Sequence, residues 1–238
     1  MKKLSILSVL LLSFLFVNTA AAQKLKGEGP VVSQNLDVRN FTGIELSFSG
    51  DVFLRQGKEF SVRVEGQQNL ISVLNTEVKD NIWKLRFNVD NVQMYKTKFE
   101  VYITMPTLDH IHVAGSGNVR TENRFTGLGD VYAGVHGSGD VYLHADCRNL
   151  TAKVSGSGDI RTSGSAEAGN LKVTGSGDYS GYDMRIKNCE AAVTGSGDIK
   201  VHASETLIAS VRGSGDIDYR GNPSVQSKVS GSGDIDRN

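Results

Sequence analysis

Over the second half of the chain, apolar and polar residues alternate in short runs that recur at nearly fixed intervals. Leu150, Ala152 and Val154 alternate with Thr151 and Lys153, and the same pattern returns at Leu171–Val173, Cys189–Val193, Leu207–Val211 and Val225–Val229. Successive side chains of a strand point to opposite faces, so each run predicts a strand buried on one side only. Each run leads into one motif: Gly115-Ser116-Gly117-Asn118, then Gly137-Ser138-Gly139-Asp140, Gly156-Ser157-Gly158-Asp159 and Gly175-Ser176-Gly177-Asp178. It continues as Gly195-Ser196-Gly197-Asp198, Gly213-Ser214-Gly215-Asp216 and Gly231-Ser232-Gly233-Asp234. The first glycines are 22, 19, 19, 20, 18 and 18 residues apart. A unit of that length is one coil of a β-solenoid, which buries its inner face only by stacking on its neighbours. At about 4.8 Å per coil the seven motifs would span roughly 29 Å.

Parity assigns the faces. If the chain stays extended through the motif, Leu150, Ala152, Val154, Gly156, Gly158 and Ile160 point inward, and Ser155, Ser157 and Asp159 point outward. Two inward glycines per coil imply that opposing walls approach closely there. No sustained 3.6-residue apolar period is present, so no helix is expected. Residues 23–105 read as an N-terminal β segment, with alternation at Ile44, Leu46, Phe48, Val52 and Leu54 and an imperfect motif copy, Ser49-Gly50-Asp51-Val52. Lys79-Asp80-Asn81 reads as a hairpin turn before Trp83, Leu85 and Phe87. This segment is expected to cap the regular array of residues 106–238. The last coil carries no evident cap, which makes its edge a candidate homo-oligomer contact.

The N-terminus changes the setting. Lys2 and Lys3 precede an apolar stretch from Leu4 to Val17 and then Ala20-Ala21-Ala22, which reads as a signal peptide over residues 1–22. Gln23 rather than Cys follows, which argues against a lipid anchor, and no later stretch has the roughly 20 apolar residues of a membrane span. The expectation is export to the periplasm, the outer-membrane surface or the medium. The 26 basic and 26 acidic residues cancel, so nothing draws the chain to nucleic acid or to an anionic membrane.

Candidate chemistry is periodic. Asp140, Asp159, Asp178, Asp198, Asp216 and Asp234 form a column of carboxylates that repel by roughly 1 kcal/mol per neighbouring pair even in water. Solvation, hydrogen bonds to turn amides, cations such as Arg161 and Lys200, or bound calcium would relieve this, and the structural reading is favoured over the metal. Ser in every motif has a periodic cause rather than a nucleophilic one. The five histidines do not converge on a zinc site. Cys147 and Cys189 fall in different registers two coils apart, roughly 9–10 Å, which predicts buried free thiols. No cofactor is expected.

The motif array, together with Gln56-Gly57, Val62-Arg63-Val64-Glu65-Gly66 and Met105-Pro106-Thr107-Leu108, resembles the autotransporter-adhesin head GIN domain family over residues 36–235. Asn118 departs from it, standing where the other motifs carry Asp. The resemblance implies a right-handed parallel β-helix-like fold and an envelope location, and it supplies no active-site residues. The leading expectation is an exported, non-enzymatic, adhesin-like or scaffold protein with a glycan or protein partner. The alternatives are a carbohydrate-binding or carbohydrate-active β-helix and a calcium-stabilised β-roll.

Overall fold

The alternating runs become parallel strands that pair in register with the coil before and the coil after. In the computed structural model, which describes residues 24–94 and 97–238, Val154 pairs with Val173, Val173 with Val193, Val193 with Val211 and Val211 with Val229. The residue after each motif builds a second inner column, Val141, Ile160, Tyr179, Ile199, Ile217 and Ile235. The first five of these are at most 1% exposed, so each of those five coils closes a slice of one continuous apolar core. The protein is all-β, with a β-solenoid of about seven turns in its C-terminal part.

The strands Val141–Val154, Ile160–Gly175, Tyr179–Gly195 and Ile199–Gly213 run around corners without losing their ladder. At one corner Arg148 and Asn149 are both exposed, which shifts the inward phase from Val141, Leu143, Ala145 and Cys147 to Leu150, Ala152 and Val154. Two walls of the coil are thereby filled from one strand.

The N-terminal segment continues the stack but not in chain order. Gly43–Leu46 and Asp51–Gln56 form a coil whose outer neighbours are Ile82–Leu85 and Glu100–Met105, and whose inner neighbours are His110–Val113 and Asn118–Thr121. The imperfect motif thus lies directly against the first full one, with Asp51 opposite Asn118. Ser61–Gln67 pairs antiparallel with Glu100–Met105, and Val31–Leu36 pairs antiparallel with Ser61–Gln67. The hairpin expected at Lys79-Asp80-Asn81 is present with a tighter turn: Asp80 and Asn81, at φ 52° and 61°, make it, while Lys79 belongs to the strand Val78–Lys79 and pairs with Ile82 of Ile82–Leu85.

The structure adds one element that the pattern did not predict, a single helical turn over Gln68–Ile71 that buries Leu70 and Ile71. Four residues are too few to show a helical period. The predicted signal peptide lies outside the described residues, apart from which no described helix is long and apolar enough to cross a membrane.

Candidate functional site

The motif glycines are close-packed along the stack rather than across it. Gly137 O accepts the N–H groups of Ser157 and Gly158 in the next coil, at 3.1 and 3.2 Å. A Cβ on Gly156 would lie 2.1 Å from that same oxygen, and one on Gly158 would lie 2.0 Å from Gly139 O. The nearest atoms belong to the preceding coil, so the expectation of opposing walls is corrected: coils approach coils. The second glycines are buried as parity requires, whereas the first glycines sit half-buried at a bend from Gly115 to Gly213. Gly175, Gly195, Gly213 and Gly231 also take φ of +131° to +143°, a region that L side chains rarely adopt.

The bend sets the chemistry of the aspartates. From Asp140 onward the aspartate N–H reaches no backbone carbonyl among the described residues, unlike that of Asn118, which bonds Gly50 O at 3.2 Å, and a buried amide needs a partner. Asp140 Oδ1 accepts the N–H of Asp159 at 2.9 Å, Asp159 Oδ1 that of Asp178 at 3.0 Å, and Asp178 Oδ1 that of Asp198 at 2.8 Å. Asp198 and Asp216 serve Asp216 and Asp234 in the same way, each at 2.8 Å. The column is a relay of charge-assisted hydrogen bonds to turn amides, one of the forms of relief expected from sequence. Asn118 both donates Nδ2–H to Asp51 Oδ1 at 2.8 Å and accepts the Asp140 N–H at 3.0 Å. An amide replaces a carboxylate there without loss of the relay.

Of the two cations expected to offset the column, one does so. Arg161 lies 2.9 Å from Asp159 and 3.7 Å from Asp140, whereas Lys200 makes no ion pair with a carboxylate among the described residues. The residues two positions after Glu100, Asp51, Asn118 and the aspartates of the array form a parallel outer column: Tyr102, Phe53, Arg120, Tyr142, Arg161, Ser180, Lys200. Tyr102 and Phe53 stack at 5.0 Å, Arg120 lies 4.3 Å over the Tyr142 ring, and Tyr142 donates its hydroxyl to Asp140 at 3.1 Å.

Beside this column the repeat breaks. Gly181 pairs with Val201 and Arg185 with His202, which leaves Tyr182, Asp183 and Met184 without partners in the following coil. The bulge raises Tyr182 into one wall of an open groove of about 450 Å³. The column Arg120, Tyr142, Arg161, Ser180 and Lys200 lines the same groove, together with Ser163 and Asp183. The sequence signal for this groove is the length of the Tyr179–Asn188 departure from the repeat, which as a sequence feature carries no direction.

The histidines remain dispersed. His110 stacks on Tyr132 at 4.8 Å, His136 meets Ser155 at 2.9 Å, and His144 lines the groove. Burial holds the pKa values of His110 and His112 below the ordinary imidazole range. Cys147 stands opposite Ala166 and Cys189 opposite Gly169, so both are buried free thiols, pushed up by burial to about 11 and about 12.

A regular solenoid with an outward relay of carboxylates and an open lateral groove defines the class as an all-β solenoid. The family model described as "Putative auto-transporter adhesin, head GIN domain" matches residues 40–223, and the chain belongs to that family. A protein from Bacteroides fragilis NCTC 9343 described as a putative adhesin has a similar structure, with TM-score 0.83 and 27% identity over 90% of this chain and 100% of that one. One from Parabacteroides distasonis ATCC 8503, also described as a putative adhesin, gives TM-score 0.71 and 26% identity over 91% and 100%. Another from the same strain, described as a putative lipid binding protein, shares the fold at TM-score 0.75 and 22% identity, over 91% and 100%. No curated protein matches the chain.

Proposed function

We propose that the chain is an exported, non-enzymatic protein of the cell envelope that acts as an adhesin through its lateral surface. The supporting observation is the equivalence of its outward groups: Asp140, Asp159, Asp178 and Asp198 each accept one N–H from the next coil in the same way. General acid–base chemistry needs titratable pairs whose environments differ, while adhesion needs area and repetition. The family and its adhesin-described relatives support the same reading. Export rests on the N-terminal sequence. Protease treatment of intact producing cells, followed by immunodetection, tests it: cleavage from outside is expected, and full protection until the outer membrane is breached would remove surface display. Beads coated with the purified chain should adhere to a partner surface; absence of adherence across host-cell, mucin and bacterial surfaces would remove the adhesive role.

A further inference from the structure

The bulged groove gathers several unengaged polar groups beside an aromatic ring. Ser163, Ser180, Asp183 and Lys200 line it and make no side-chain hydrogen bond or ion pair among the described residues, and Arg120 lies over the face of Tyr142. The groove crosses the coils of Arg120, Tyr142, Arg161, Ser180 and Lys200, which stand in continuous register. Four coil intervals give a length of roughly 19 Å, open to solvent along its course. That shape suits a chain passing through rather than a small molecule enclosed.

We propose that this groove binds a neutral polysaccharide strand lying along the solenoid axis; the proposal rests on the adhesive reading above. Charge selects the class. Arg120, Arg161 and Lys200 line it with Asp183, and the carboxylates of Asp140 and Asp159, which pair with Arg161, and of Asp178 and Asp198 adjoin it, so the cations are offset and no net field attracts a polyanion. Nucleic acid, whose affinity comes from phosphate neutralisation, is disfavoured by that flanking column. What remains is an interleaved set of donors and acceptors, and a sugar hydroxyl is both at once. The second component of sugar recognition is an aromatic ring for the C–H face, whose partial positive charge suits a ring's negative face. Tyr182 supplies it and is held in place: Arg220 covers one side of the ring at 3.9 Å, and Asn238 donates to its hydroxyl at 3.2 Å. A ring fixed before binding loses little conformational entropy on binding.

Calorimetry of the full chain against soluble β-glucan, xylan and galactomannan, with polygalacturonate and heparin as charged comparators, tests the groove. We expect at least one neutral polymer to bind with little salt dependence. Tyr182→Ala and Lys200→Gln should each weaken it about tenfold, the factor that 1.4 kcal/mol represents. Tyr182→Phe keeps the ring and should retain binding, while Lys172→Gln, on another stretch of the surface, should change nothing. Circular dichroism and melting of each variant separate lost binding from lost folding. Failure of all three neutral polymers overturns the proposal, as does binding confined to the polyanions or binding unaffected by the groove variants. Coated beads that adhere while the purified chain ignores the neutral polymers would sink the groove and leave the adhesive reading standing; glycan binding without bead adherence would do the reverse.

Discussion

The two ends of the stack use the same two positions in opposite ways. Along the array the first and third motif positions are glycine in every coil, and a Cβ at most of them would stand within about 2.0–2.7 Å of a carbonyl oxygen of the preceding coil. Near the N-terminal end, register places Phe48 and Phe87 in the first column and Phe99 in the second. Their rings meet, Phe48 with Phe87 at 4.9 Å, Phe48 with Phe99 at 5.3 Å and Phe87 with Phe99 at 5.5 Å. Glycine is required where one coil must lie flat on another. Where the stacking ends, the same columns can hold large rings that seal the core. At the other end Ser224–Gly231 is exposed throughout, with Val225 and Val229 at 39% and 45%, and no described element covers it. The N-terminal end is closed by rings and antiparallel strands, while the C-terminal end shows its edge.

That contrast can be broken most severely at the seal. Phe99→Ala, at a site 2% exposed, should cost about 3–5 kcal/mol in chemical denaturation. A loss below 1 kcal/mol would mean that the rings are ornamental to the stack. Next comes the glycine column. Gly156→Val should destabilise by about 1–3 kcal/mol or more, because backbone rather than a flexible side chain must move. Gly129→Ala, which meets only Arg148 Nη2 at 3.4 Å, should stay within about 0.5 kcal/mol. Equal effects at both would refute a requirement tied to stacking.

The relay offers a finer test. Asp159→Ala strands the Asp178 N–H and should cost about 1–3 kcal/mol, while Asp234→Ala, whose carboxylate receives no N–H from a further described coil, should cost almost nothing. Asp178→Asn, by the precedent of Asn118, keeps the acceptor and removes a like charge. Its melting temperature should hold or rise, and a fall comparable to that of the alanine variant would show that the charge itself is needed. The smallest effect concerns pH. His110 and His112 have pKa values lowered by burial, so between the unfolded value near 6.5 and the folded values the unfolded chain binds more protons. Stability is therefore fully present above about pH 6.5 and falls as pH drops through that window. The slope should flatten in His110→Gln/His112→Gln, and an unchanged slope would assign the pH dependence elsewhere.

Much of this architecture was legible because a period of two and a repeat of about twenty residues are local signals. The inward column from Val154 to Val229, the solenoid class, the Asp80-Asn81 turn and the unpaired thiols all follow from spacing. Three features do not. The placement of Gly43–Gln56 between two later segments is a choice among strands of equal alternation, which parity leaves open. The direction in which glycine is crowded depends on the carbonyl of Gly137 pointing at the next coil, a property of the bend rather than of the pattern. The groove arises from Tyr182, Asp183 and Met184 standing outside the ladder, and a count of extra residues shows neither where a chain bulges nor what it lifts.

The hydrogen bond from each aspartate N–H to the carboxylate of the coil before it runs one way along the molecule. Every unit consequently carries a plug on one side and a socket on the other, and all the sockets are alike. Tandem duplication or excision of one whole unit would rejoin compatible halves, so the length of the stack could grow or shrink in single steps. Variation among relatives should then appear as changes in the number of units more readily than as changes within one.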